Sequence, residues 1–266
     1  MINSLSTKFA TALEISVAAG ELADRWYRQG GYRVTSKNDG SPVTEADRDI
    51  EQFIRRRLAQ AFPEDGILGE EFPETFGESG GRWIIDPIDG TKSFIHGVPL
   101  YSTLMAYERD DEIQFGAINA PSAGLLVYAE KDRGCFSNGT KARVSERSGL
   151  GGSYVLATWL EDWDPKVIKA LIDRGVQPRT WGDAYGYAMV ATGQAEAIVD
   201  FNVQTYDLAP MPVIIREAGG IFTSLEGEPG ISHGTGIATN GVLHEELLNI
   251  VGTGHVYLPD LLEETV

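Results

Sequence analysis

The stretch Trp83-Ile84-Ile85-Asp86-Pro87-Ile88-Asp89-Gly90-Thr91 constrains the fold of this chain more than any other. Its large apolar residues read as a buried strand, and the run stops at an acid. Pro87 has no N–H to offer a ladder, so a central strand is not expected to pass through it. Asp86-Pro87-Ile88-Asp89 instead fits a β-turn, with Asp first and Pro second. In an extended strand the two aspartates would point to opposite faces. Across a turn the first and fourth residues lie within about 7 Å, so both carboxylates can converge. Adjacent anions repel unless a cation sits between them. A hard divalent ion such as Mg²⁺ suits the pair, because it takes oxygen ligands from carboxylates, phosphate and water. Gly90-Thr91 opens a candidate helix whose free N–H groups would face an anion, and Gly90 lets the backbone come close. An ordinary strand-ending turn with solvated acids uses the same residue types. The motif alone leaves both readings open.

The chain has 266 residues, enough for one large domain or two small ones. At 42% hydrophobic it can bury a real core. A net charge of −17 and a pI near 4.6 argue against a nucleic-acid partner, which needs a basic surface. A small phosphorylated molecule remains compatible if bound metal meets its charge. Cys135 is the single cysteine, so no intramolecular disulfide forms, as suits a reducing cytoplasm. Residues 1–26 carry Glu14, Glu21 and Asp24 and do not read as a signal peptide. No run of about eighteen apolar residues is present, so no membrane span is expected.

In chain order, residues 4–29 read as an amphipathic helix stopped by Gly30-Gly31. Tyr32–Thr35 is a short strand and Lys37–Pro42 a polar loop. Val43–Asp47 leads into a second helix striped by Ile50, Phe53, Ile54, Leu58 and Phe62. Thr44 and Asp47 have capping-box spacing, so Asp47 has a helix-capping reading of its own. Ile67-Leu68-Gly69 runs into Glu70-Glu71, acids that could equally be solvated surface. Antiparallel strands are expected at Tyr101–Tyr107, Ile113–Asn119 and Leu125–Glu130, with a hairpin at Asn138-Gly139. The polar stretch Ser145–Gly152 divides an α+β half, 1–148, from an α/β half, 149–266. The second half should hold strands at Tyr154–Thr158 and Ala197–Val199. Its helices are expected at Pro165–Asp173, Ala184–Thr192 and Asp207–Ala218, with Pro210 and Pro212 inside the last one's first turn. Asp207 could serve simply as that helix's N-cap. Val256–Val266 is acidic and is expected to be partly loose.

Taken together, three motifs resemble the inositol monophosphatase family. They are Gly69-Glu70-Glu71, then Trp83 to Thr91, then Tyr206-Asp207-Leu208-Ala209 ahead of Glu217-Ala218-Gly219-Gly220. The resemblance runs from the first helix to about Val251. It implies a layered αβαβα sandwich and a Mg²⁺-dependent phosphomonoesterase, usually a homodimer. It implies that Glu70, Asp86, Asp89, Asp207 and the carbonyl of Ile88 hold up to three Mg²⁺ ions. Thr91 and Asp47, with metal-bound Glu70, would activate the attacking water. Asp89, Gly90, Thr91 and Asp207 would also face the substrate, and Lys37 matches a lysine near the site. Thr91–Pro99 and Arg179–Tyr187 resemble the bacterial histidinol-phosphate phosphatases of the family. Arg179, Asp183 and Asp200 then belong to the substrate wall, and Trp181, Tyr185 or Phe94 would offer a flat face for an imidazole. An inositol phosphate is the alternative substrate. A non-catalytic binder of metal or a phosphorylated effector is the alternative of another class, and no motif acid is missing to favour it.

Overall fold

The computed structural model describes residues 5–37 and 40–252. The first stripe becomes α1 (Thr7–Gln29), which buries Phe9, Ala12, Leu13, Ile15, Ala19 and Ala23. It stops at Gly30, whose φ of 61° is a conformation that side-chain-bearing residues avoid. β1 (Val34–Ser36) and β2 (Pro42–Thr44) form an antiparallel ribbon; Asn38 and Asp39 of the expected loop lie outside the described residues. The capping box is present. Asp47 closes it on Thr44 at the start of α2 (Glu45–Ala61), which buries Ile50, Ile54 and Leu58.

Both helices cover one face of a seven-stranded sheet. Its strands are β3 (Gly66–Gly69), β4 (Gly81–Asp89), β5 (Ser102–Arg109), β6 (Glu112–Ala120), β7 (Leu125–Glu130), β8 (Gly134–Ser137) and β9 (Thr140–Lys141), in sequential order. β3 runs parallel to β4, and every later pair is antiparallel. Asn138 and Gly139 both take positive φ between β8 and β9, as a two-residue hairpin turn requires. Period-two alternation sends Trp83, Ile85, Met105 and Tyr107 toward α1 and α2. It sends Ile84, Leu104 and Ala106 into a second core on the other face.

The strand did not end where the turn was expected. β4 continues through Pro87 to Asp89, with Asp86 opposite Leu104 and Asp89 opposite Ser102. The extra residue between those pairs makes a β-bulge, which is where a strand tolerates proline. β4 leads directly into α3 (Thr91–Ile95), with Gly90 at φ 80° as its N-cap.

The second half contributes, in order, β10 (Tyr154–Leu156), α4 (Pro165–Asp173), β11 (Gln177–Arg179), α5 (Asp183–Ala191), β12 (Ala197–Phe201), α6 (Thr205–Leu208), α7 (Met211–Glu217), β13 (Ile221–Thr223), β14 (Thr235–Thr239) and α8 (His244–Val251). Its sheet has the order β11-β10-β12-β14-β13, parallel at β10's two pairings and antiparallel at β14's. The expected helix 207–218 is two helices. The break falls at Ala209-Pro210, because Pro210 cannot supply the N–H that a continuous helix needs. Asp207 is accordingly not an N-cap; it is the third residue of α6, accepting from the backbone N–H of Gln204 at 2.8 Å.

α5 and α7 pack between the two sheets. The core there joins Ile84, Leu104 and Ile118 to Tyr187, Val190, Ile214 and Ile198. α4 and α8 cover the outer face of the second sheet through Val167, Leu171, Leu247 and Val251. The layers are therefore helix, sheet, helix, sheet, helix. The central core draws on both halves of the chain, and Cys135 is buried within it.

Candidate active site

The bulge in β4 aims its acids at one point. Carboxylate oxygens of Asp86, Asp89 and Asp207 all lie within 4.8 Å of one another. The backbone N–H of Ile88 donates to Asp86 Oδ1 at 2.9 Å, which fixes that carboxylate at the bulge. Glu70, at the end of β3, contacts Asp86. Four acids from three separate stretches of the chain thus share one pocket.

Crowding the acids away from water makes them hard to ionise. Burial, then the neighbouring carboxylates, push Asp86 and Asp89 well above the usual range. Burial raises Glu70 to about 7 against the pull of Lys37, and raises Asp207 to about 6. Lys37 reaches in to lie 2.6 Å from both Glu70 Oε1 and Glu71 Oε1. Burial opposes its charge, yet those two glutamates hold its pKa above the ordinary lysine value. One ammonium does not match the whole cluster. The donors are all oxygens, Asp86 and Asp89 are buried and Asp207 half-buried, and they repel each other without a cation, so the cluster fits a hard metal ion.

Asp47 stands behind this cluster with its oxygens divided. Oδ2 accepts from Thr44 N at 2.7 Å and Thr44 Oγ1 at 2.6 Å, which is the helix cap. Oδ1 lies 3.4 Å from Thr91 Oγ1, which also lies 3.0 Å from the Ile88 carbonyl. Thr91 has one hydroxyl proton, so it serves one of these acceptors at a time. Burial raises Asp47 to about 6 despite its Thr44 hydrogen bonds. Capping and facing the site are not exclusive here.

A second pair of acids adjoins the first. Asp183 opens α5 with φ 51°, and its backbone N–H donates to Thr158 Oγ1 at 2.8 Å. Asp200 Oδ1 accepts from Thr158 N at 3.0 Å. Thr158 thus ties the two together. The next N–H of α5, from Ala184, donates to Asp89 Oδ2 at 2.7 Å and joins this pair to the metal-type cluster. Burial, then Asp200, raise Asp183 to about 7, and burial raises Asp200 to about 6. A Cβ on Gly90 would sit 3.1 Å from Asp183 Oδ2, so only glycine leaves that approach open.

These groups surround one cavity of about 340 Å³. Glu70, Asp86, Ile88, Asp89, Gly90, Thr91, Asp183, Asp200 and Asp207 line it; Asp47 reaches it through Thr91. Arg179 does not. It is exposed, with its guanidinium over the rings of Tyr154 (5.6 Å) and Trp181 (5.9 Å). The expected flat faces are also misplaced. Phe94 is wholly buried among Tyr27, Tyr32 and Tyr101. Trp181 stacks on Tyr154, and Tyr185 packs on the central core. The aromatic residues that do line the cavity are Trp159, Tyr187 and Tyr206. Trp159 had one signal in the sequence: it directly follows the strand expected at Tyr154–Thr158, whose first three residues become β10.

Comparison with known proteins agrees with the fold. The family model described as the inositol monophosphatase family matches residues 4–254. A histidinol-phosphatase of Chlorobaculum parvum is 42% identical, covering 91% of this chain and 96% of its own. One of Mycobacterium tuberculosis is 35% identical over 91% and 97% of the two chains. The solved structure of a Thermotoga maritima IMPase superposes with a TM-score of 0.85 at 28% identity, covering 93% of this chain and 98% of that one. The chain belongs to the inositol monophosphatase family. It is a phosphatase.

Proposed function

We propose that this phosphatase hydrolyses L-histidinol phosphate to L-histidinol and phosphate with Mg²⁺, in histidine biosynthesis in the cytoplasm, as a homodimer. The observation that carries the substrate is the pair Asp183, half-buried, and Asp200, buried, beside the metal-type cluster and on the same cavity. Histidinol phosphate carries an ammonium and an imidazole that titrates near neutrality. A cavity that adds two carboxylates beyond those holding the metal suits such a leaving group. Similarity to two histidinol-phosphatases supports the same reading.

In this reading Glu70, Asp86, Asp89, Asp207 and the Ile88 carbonyl hold up to three ions. Bound Mg²⁺ supplies charge neutralisation at the phosphate and lowers the pKa of water. Gly90 and Thr91 present backbone N–H groups to the phosphate. Thr91 Oγ1 orients the attacking water, and Asp47, whose carboxylate faces Thr91, accepts its proton. Asp183 and Asp200 meet the cationic end of the leaving group. Phosphoryl transfer demands positioning and charge stabilisation more than covalent help, which is what this arrangement offers.

An inositol phosphate is the second reading, favoured by the likeness to the Thermotoga maritima IMPase. The test is phosphate release from histidinol phosphate, inositol 1-phosphate and glycerol phosphate, with Mg²⁺ and with EDTA. The highest kcat/KM is expected on histidinol phosphate, and EDTA is expected to abolish release. Faster turnover of inositol phosphate would overturn the substrate assignment.

A further inference from the structure

We propose that Trp159 is the aromatic face that receives the leaving group, and that Lys92 holds that face until a substrate cation replaces it. This deepens the histidinol phosphate reading and rests on it for the identity of the leaving group. Among the described residues, three aromatic side chains line the cavity, and two are committed elsewhere. Tyr187 is 2% exposed within the central core, its ring 6.3 Å from that of Phe222. Tyr206 stands beside Glu70, Asp86 and Asp207 at the phosphate end. Trp159 remains, half-buried in the segment between β10 and α4.

Its position matches the chemistry required. Trp159 directly follows Thr158, whose N–H and hydroxyl bind Asp200 and the backbone of Asp183. An aromatic face next to two carboxylates is a receptor for a flat or cationic group. The chain itself demonstrates the affinity of that face: Lys92 Nζ lies 3.9 Å from the Trp159 ring centroid. Lys92 is exposed, so leaving the ring returns its ammonium to water at little cost. Imidazolium or ammonium of the substrate then takes the same place over the ring.

The test compares the wild type with Trp159→Leu and Trp159→Phe on histidinol phosphate, phosphocholine, phenyl phosphate and glycerol phosphate. In Trp159→Leu the ratio of kcat/KM for histidinol phosphate over glycerol phosphate should fall about tenfold, through KM rather than kcat. Trp159→Phe should recover most of that ratio, which a loss of folding would not allow. If the wild type prefers histidinol phosphate and Trp159→Leu keeps the preference, the proposal for Trp159 is wrong and the substrate reading stands. If the wild type shows no such preference, yet Trp159→Leu selectively lowers turnover of phosphocholine and phenyl phosphate, the face stands and the substrate reading fails. Equal losses on all four esters would make Trp159 a structural residue and overturn the proposal.

Discussion

Asp47 shows how one carboxylate can serve two masters. Its Oδ2 closes the capping box on Thr44, the N-cap of α2, and its Oδ1 faces Thr91. Asp47→Asn keeps a side chain able to cap, so stability should change by less than about 1 kcal/mol. An amide is a poor proton acceptor, so kcat should fall on the order of 100-fold or more. Steady-state kinetics beside a denaturant melt separates the two; unchanged kcat would leave Asp47 a cap alone. The acids were readable from sequence because Asp-Pro-Ile-Asp-Gly-Thr is long and ordered, and because Glu70 and Asp207 sit in motifs of their own. The aromatic wall was not readable. Phe94, Trp181 and Tyr185 are close in sequence to site residues, yet helix and strand geometry turns their rings into cores or onto the surface. Placing Trp159 requires knowing where the segment after β10 lands.

At the scale of elements, the instructive errors are the strand at Pro87 and the helix at Pro210. Turn propensity at Asp86–Asp89 is local, whereas pairing with Leu104 and Ser102 of β5 is tertiary, and the ladder wins by forming a bulge. β11, β13 and β14 escaped notice because they are three to five residues long and carry no sustained alternation. The break between α6 and α7 also has a packing reason. A Cβ on Gly116 of β6 would lie 2.6 Å from the carbonyl oxygen of Pro210, so the helix pair rests directly on the sheet. Gly116→Ala should therefore destabilise the fold by about 1–3 kcal/mol through overpacking. The displaced α6 carries Asp207, so Mg²⁺ affinity should fall as well. A denaturant melt and calorimetric titration with Mg²⁺ check both, and wild-type values in both would contradict this packing account.

For the whole molecule, the order of patterns suggests an α+β half followed by an α/β half. What sequence hid was that α5 lies between the sheets. Ala184, Gly186, Tyr187, Ala188, Met189, Val190 and Ala191 are all buried, so the helix has no polar stripe to reveal its direction. We propose the division near residue 148 as a boundary between halves that share this central core. The same enclosure makes metal and stability one matter. Glu70 and Asp183 are raised to about 7, and Asp200 and Asp207 to about 6, chiefly by burial. Without a cation the folded chain therefore binds protons more tightly than the unfolded one between about pH 4 and pH 7. Its stability falls as pH rises through that window. A bound cation removes the need for those protons, so Mg²⁺ should raise Tm more at pH 8 than at pH 5. Equal shifts at both pH values, read by scanning calorimetry, would rule out this coupling.

The hydrogen bond from Ala184 N–H to Asp89 Oδ2 has a further consequence. On one side of it stand Glu70, just after β3, and the acids of β4 and α6, which suit a metal and a phosphate. On the other stand Thr158, Trp159 and Asp183, from the segment after β10 and the start of α5. That single bond is a seam between chemistry and choice. On the proposed reading, substitutions at the cavity-lining Trp159 and Thr180 should change which alcohol is accepted while the acid cluster stays as it is.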